Sequence, residues 1–227
     1  MPKSTRREFF SRGGLAVVGV GTLTLRAGAV PTATSGHEDI PVPFDPQDRE
    51  HRKLALTERD IEGPYFRAGA PFRAKVTPPL AAGRVSLIRG RVWGIDTKQP
   101  LPGATIHVWQ ASHAGRYDND DVKRPPRKDV FKYRARMMTD ELGRYEFETI
   151  HPGRYRVGET YRPAHIHYRI EAAGYKTLIT QLYFKGDPFN STDRFIKDSL
   201  IIAPKTIRIG GDRSYELGVF DIVLAKV

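Results

Sequence analysis

The chain contains no cysteine among its 227 residues. Disulfides, thiolate metal sites and cysteine nucleophiles are thereby excluded, and stability outside the cytoplasm must come from packing or bound metal. Methionine is scarce, at three residues against 17 prolines and 21 glycines, a balance that favours short strands and many turns over a helix bundle. No apolar run reaches the roughly 20 residues that a membrane span needs. A block of like charge is also lacking, because Lys and Arg are scattered among acidic residues. Nucleic-acid binding needs a clustered basic patch or a motif, so no nucleic acid is expected as a partner.

What is present begins with an address. Arg6 and Arg7 precede Phe9 and Phe10, a Gly-rich apolar stretch covers 13–25, and Ala27-Gly28-Ala29 offers a small-residue cleavage site. This is the layout of a bacterial export signal of the twin-arginine type. Residues 1–30 are therefore expected to be removed, leaving no stable membrane span and a periplasmic or extracellular protein. The alternative is a membrane anchor, for which the apolar run is short. The segment carries five cations (Lys3, Arg6, Arg7, Arg12, Arg26) and one anion (Glu8), a net +4, so +7 of the formal +11 stays with the rest. That mild excess suits anionic aromatic acids. Residues 31–55, with Pro41, Pro43 and Pro46, lack the apolar content for a core and are expected as an extended arm. Residues 56–227 read as one domain.

Within that domain, β-branched and aromatic residues alternate over 85–93 and 104–110, with a polar turn at 96–103 between them. Further strands are expected at 143–149, 164–172, 178–184, 200–203 and 218–224. Strands at this spacing, without helical periods between them, predict an all-β fold, an antiparallel β-sandwich with long loops. The charged, irregular stretch 115–132 is expected as surface loop.

His165 and His167 sit two apart in a predicted strand, so both side chains leave one face while Ile166 points into the opposite layer. Such a pair can grip one ion, although H-x-H alone also arises by chance. Pro163 fixes the backbone just before it. Tyr155 follows the Pro152-Gly153 turn, and Tyr117 ends Ala114-Gly115-Arg116-Tyr117. Either tyrosine alone is as well explained by packing, there being ten in the chain. Together, two phenols and two imidazoles suit ferric iron better than magnesium or calcium, because ionising a phenol of unperturbed pKa about 10 takes a strong Lewis acid.

The segments Asp60-Ile-Glu-Gly-Pro-Tyr-Phe66, Gly103-Ala-Thr-Ile-His-Val-Trp-Gln-Ala111 with Gly115-Arg-Tyr117, and Pro152-Gly-Arg-Tyr155 leading to Arg162-Pro-Ala-His-Ile-His167 resemble the intradiol ring-cleavage dioxygenases. Catechol 1,2-dioxygenase and protocatechuate 3,4-dioxygenase are familiar members. The resemblance runs over roughly 57–223 and implies a β-sandwich holding a non-haem Fe(III) through Tyr117, Tyr155, His165 and His167. Tyr155 and His167 would be the axial pair, and Tyr155, released by the substrate, would take up its protons. A catechol-type small molecule and O2 are the implied partners, with ring opening between the two hydroxylated carbons to a muconate-type diacid. Arg162 is implied as the cation that stabilises charge developing on the ring, and Gln181 as a polar neighbour of the site. Gly63, Pro64 and Tyr65 match the stretch that lines the substrate pocket. His113 and His151 flank the two tyrosines off the pattern.

Two departures stand out. The long helical N-terminal segment that joins subunits in catechol 1,2-dioxygenases is expected to be absent, so that route to the expected homo-oligomer is closed. The interval from Tyr155 to Arg162 is short, which predicts a cut-back wall over the iron and room for larger catechols. Two other readings stay open: a non-catalytic exported β-sandwich binding module, and extradiol cleavage on a two-His-one-carboxylate site, for which no acidic residue joins the histidine pair.

Overall fold

Alternating apolar residues build twelve strands in the computed structural model, which describes residues 54–227. The predicted signal at 1–30 and all but the end of the arm at 31–55 lie outside the described residues. The strands are β1 (Val85–Gly94), β2 (Thr105–Gln110), β3 (Arg134–Met138), β4 (Arg144–Ile150), β5 (Tyr155–Val157), β6 (Thr160–Arg162), β7 (His165–Glu171), β8 (Leu178–Phe184), β9 (Ile201–Ile202), β10 (Lys205–Arg208), β11 (Ser214–Val219) and β12 (Ile222–Leu224). One 3-10 turn, Asp198–Leu200, interrupts them. No helix among the described residues is long and apolar enough to cross a membrane.

The fold is an all-β sandwich, as the spacing predicts. One sheet runs β10-β11-β1-β12, with β4 also on β1; the other runs β3-β2-β7-β8-β9; β5 and β6 form a separate two-stranded ribbon. The expectation of purely antiparallel pairing needs correction. The second sheet is antiparallel except at β8–β9, while β1 pairs in parallel with both β11 and β12. The ten-residue β1 is long enough to take β11 along its first half and β12 along its second. The single strand predicted at 218–224 breaks for the same reason. Between the two pairings the Phe220 amide donates to Arg89 O, and Asp221 accepts from the Arg91 amide.

Four strands escape the sequence pattern. β3 carries arginine at two of its five positions, β10 is a short exposed edge strand, and β5–β6 span only three residues each. The stretch 115–132 is irregular as predicted, but it is not all surface. Tyr117 is buried, and Asp118 meets the equally buried Arg134 of β3 at 2.6 Å.

The core between the sheets fixes the phase of β7. Ile166, Tyr168 and Ile170 are fully buried against Ile106, Val108, Phe147 and Leu182. Each such side chain contributes about 1.5–3 kcal/mol on burial. A one-residue slip would exchange these three for histidine and arginine, so the register is tightly held. His165 and His167 are thereby committed to the outer face of the second sheet.

Candidate metal centre

Alternation puts Trp109 of β2, His165 and His167 of β7, and Gln181 and Tyr183 of β8 on one outer face, with Trp109 opposite His167 and His167 opposite Gln181. That face would be wet if nothing covered it. Two segments do: 61–66, and the loop that carries Tyr117. Trp109, Ala111, Tyr117 and Tyr155 form a second apolar cluster there, with Tyr65 and Phe66 packed against it.

The two tyrosines are set by interlocked loops. The Gly153 amide donates to Ser112 O, as does the Gly115 amide, while the Ser112 amide donates to Arg116 O. A Cβ on Gly153 would lie 2.3 Å from His113 O, and one on Gly115 would lie 2.0 Å from Arg154 O. Only glycine lets these backbones pass so closely, and the crossing brings Tyr117 and Tyr155 edge to face at 5.5 Å.

Three donor atoms converge. Tyr117 Oη lies 3.3 Å from His165 Nε2 and 3.1 Å from His167 Nε2, and the two imidazole nitrogens are 3.2 Å apart. Such separations are close enough for the three atoms to be neighbouring donors to one ion at bonds of roughly 2.0–2.1 Å. His165 Nδ1 donates to Pro163 O at 2.7 Å, which fixes the tautomer and leaves Nε2 as a bare lone pair. His167 is held flat by Trp109, stacked at 4.8 Å and 1°. Tyr117 is stacked on Tyr65 at 4.1 Å. The Tyr155 ring stands 5.6 Å from that of His165.

Electrostatics agree with ligation. Burial, with the Arg162 charge next, drives the His165 pKa down to about 3. Burial and then the charge of His165 drive His167 well below its usual value. Both rings are neutral, the form that binds metals. Burial pushes the Tyr117 phenol well up, with Tyr155 adding to the rise and Arg162 and Arg134 opposing it. Without a cation it stays protonated, its single proton serves one imidazole nitrogen at a time, and His167 Nδ1 is left buried without a partner. A strongly charged ion would draw on all three lone pairs at once, and the donor set fits ferric iron in particular. Among the described residues no group of three or more His, Cys, Asp or Glu is placed to hold a metal, which leaves the two-His-one-carboxylate reading without its carboxylate.

Arg162, at the end of β6 opposite Tyr155, is buried at 5% exposure. Its Nε donates to Asp193 at 2.6 Å and its Nη2 to the Tyr183 hydroxyl at 2.7 Å, while its buried Nη1 has no partner. Gln181 donates to Ile61 O at 2.8 Å, and its Oε1 lies 3.1 Å from the Tyr183 hydroxyl. Gly63 lies over His167, since a Cβ there would be 3.4 Å from the ring. Tyr65 is the stacked wall, and Pro64 is exposed beside it. His113 and His151 stand apart. They line a cleft of about 680 Å³ with Arg84 and Glu216, and none of the four candidate donors lines it. The residues that sequence reasoning missed are Asp60, Tyr183 and Asp193. Tyr183 shares the Gln181 face by simple alternation, whereas the two carboxylates sit on irregular chain without periodicity.

The family model described as Dioxygenase (Dioxygenase_C) matches residues 61–226. The chain belongs to this dioxygenase family. Among its relatives, catechol 1,2-dioxygenase 2 of Acinetobacter lwoffii is 37% identical over 150 residues, covering 59% of the chain and 53% of the relative. Chlorocatechol 1,2-dioxygenase of Rhodococcus opacus is 34% identical over 190 residues, covering 74% and 72%. The chain thus spans about half the length of the first. In structure, it is similar to the dioxygenase domain of a dioxygenase–carbohydrate-binding protein fusion from Streptomyces sp. SirexAA-E. That likeness has a TM-score of 0.63 and 32% identity, and it covers 76% of this chain and all of that one. Within the family match lie all four candidate donors, together with Arg162, Gln181 and the 63–65 wall.

Proposed function

We propose that the protein is an exported, non-haem Fe(III) intradiol dioxygenase that opens a catechol-type aromatic between its two hydroxylated carbons, incorporating both atoms of O2 to give a muconate-type diacid. The observation that carries this reading is the buried triangle of Tyr117 Oη, His165 Nε2 and His167 Nε2. Tyr155 is the fourth ligand, beside that triangle. Ferric iron, when bound, supplies the Lewis acidity that ionises phenols and draws electron density out of a coordinated aromatic ring.

The protein's own residues supply position and charge. Tyr155 is the most exposed of the four donors, at 9%, and its phenolate oxygen, ionised as a ligand, would take up a proton from the incoming diol. Arg162 Nη1, buried and unpartnered, is the donor left for negative charge building on the ring, a preorganised role that favours the transition state over the ground state. Trp109 and Phe66, with ring centroids 5.0 Å apart, and Tyr65 on Tyr117 keep water from the rear of the donors. The ribbon β5–β6 is short and leaves Val157 and Tyr161 exposed, in keeping with a pocket that admits substituted catechols. A non-catalytic binding module has no use for a buried phenol and two imidazoles aimed at one point.

The test is to load the purified protein with ferric iron and record its visible spectrum, then add catechol, ring-substituted catechols and a carboxylated catechol in the presence of O2. A tyrosinate-to-iron band that moves on catechol addition, with O2 uptake and a diacid product, is expected. A colourless, iron-free protein after loading would overturn the reading, as would an iron protein that leaves every catechol intact.

A further inference from the structure

Arg162 has five N–H groups and a neighbourhood that uses those pointing away from Nη1. Asp193 takes Nε at 2.6 Å, and its other oxygen lies 3.5 Å from Nη2. The remaining grip on Nη2 is the Tyr183 hydroxyl at 2.7 Å. That hydroxyl has a single proton and two acceptors in reach, Asp60 Oδ2 at 2.8 Å and Gln181 Oε1 at 3.1 Å. Burial pushes the Tyr183 pKa up, so the proton stays on the phenol. The shorter contact defines a chain in which Arg162 donates to Tyr183 and Tyr183 donates to Asp60.

Asp60 in turn belongs to the segment that covers the donors. Its amide donates to Ile179 O, its carboxylate accepts from the Ile61 amide at 2.6 Å, and Gln181 holds Ile61 O from the other side. Three residues on, Gly63 lies over His167. The guanidinium and the site wall are therefore tied to one hydroxyl. We propose that Tyr183 and Asp60 are positioning residues: they hold Arg162 so that Nη1 alone is free for the substrate, and they couple that orientation to closure of the 60–65 wall. This rests on the dioxygenase reading and adds the device that aims its cation. A guanidinium free to rotate would offer its charge in many directions, and a donor acts on the transition state only if it is already aimed there.

The test compares iron-loaded wild type with Tyr183→Phe, which keeps the ring and removes the hydroxyl. Iron content and visible band are expected to stay as in wild type. The expected kcat falls by about ten- to a hundredfold, the factor that corresponds to losing a hydrogen bond to a charged group, while KM changes by less than about threefold, because the lost interaction belongs to the transition state. Asp60→Asn, which retains a carbonyl acceptor of the same shape, is expected to keep more kcat than Tyr183→Phe. In an Arg162→Gln background, Tyr183→Phe is expected to cost nothing further, since it acts through the arginine. Unchanged kcat in Tyr183→Phe overturns the proposal, and so does a fully additive loss in the double variant. Loss of iron from Tyr183→Phe overturns it too, because the hydroxyl would then serve the ligands. Wild type that binds no iron or cleaves no catechol brings down the functional reading instead, before any variant is compared.

Discussion

At the scale of single residues, the candidate centre is three heteroatoms aimed at one buried point. Tyr117, His165 and His167 bring three heteroatoms within 3.3 Å of one another in a buried site where both imidazoles are neutral. One phenolic proton serves at most one neighbour at a time. Removing that phenol should therefore matter little to the empty protein and greatly to the loaded one. For Tyr117→Phe the apo protein is expected to stay within about 1 kcal/mol of wild type, the usual net worth of one hydrogen bond. Iron affinity should fall by more than the roughly 10–100-fold typical of losing an outer-shell partner. His165→Ala is expected to lose iron likewise. Thermal unfolding with and without iron reads both, because a ligand that binds only the native state raises Tm by an amount that grows with the logarithm of its affinity. An iron-induced rise in Tm of Tyr117→Phe equal to that of wild type would refute Tyr117 as a ligand.

At the scale of elements, what could be read in advance depended on periodicity. The face of β7 followed from alternation, so the histidine pair and Ile166 in the core were legible, while Gln181 on β8 came only from the family resemblance. Pairing direction was not, because a period of two reports which face a side chain takes and nothing about which strand lies alongside. That is why β11 and β12 came as a surprise as parallel partners of one long strand. β3 stayed hidden because its arginines belong to the site's support: Arg134 donates to Asp118, to Asn119 and to Tyr65 O. The parallel β1–β11 pairing also creates a pH-sensitive joint. Glu216 of β11 accepts from Ser86 of β1 at 3.0 Å, from Arg84 at 2.9 Å, and lies 2.9 Å from His151 Nδ1 just beyond β4. Burial raises its pKa, but the hydrogen bond and charge of His151, then Arg84 and Ser86, outweigh that and hold it at about 2. A depressed carboxylate stabilises the fold above its unfolded pKa of roughly 4.3 and loses that contribution as pH falls towards its folded value. Wild type should therefore exceed Glu216→Gln in stability at neutral pH by something on the order of 1 kcal/mol, discounted because Arg84 is largely exposed. The gap should close between about pH 4.5 and 2. Denaturant midpoints for the two proteins across that window check this, and parallel curves would show that the joint carries no linkage.

At the scale of the whole molecule, the centre has no local existence. Its parts come from the 60–65 segment, the loop after β2, β5, β6, β7 and β8, so its donors converge only when most of the domain has folded. An unfolded chain offers iron scattered phenols and imidazoles, and with no cysteine in the protein no disulfide compensates for a failed core. On the proposal that Arg6 and Arg7 act as a twin-arginine address, folding and metal loading would precede translocation, which suits a centre assembled only in the folded domain. The expectation is concrete. In a bacterial host with twin-arginine export, the full chain should reach the periplasm carrying iron. A chain with Arg6→Lys and Arg7→Lys together keeps the same charge, and it should stay in the cytoplasm, folded and equally iron-loaded. Cell fractionation with iron analysis of each fraction separates the possibilities. Equal export of the two chains would show that the pair is not read as an address, and iron acquired only after export would show that loading does not precede translocation.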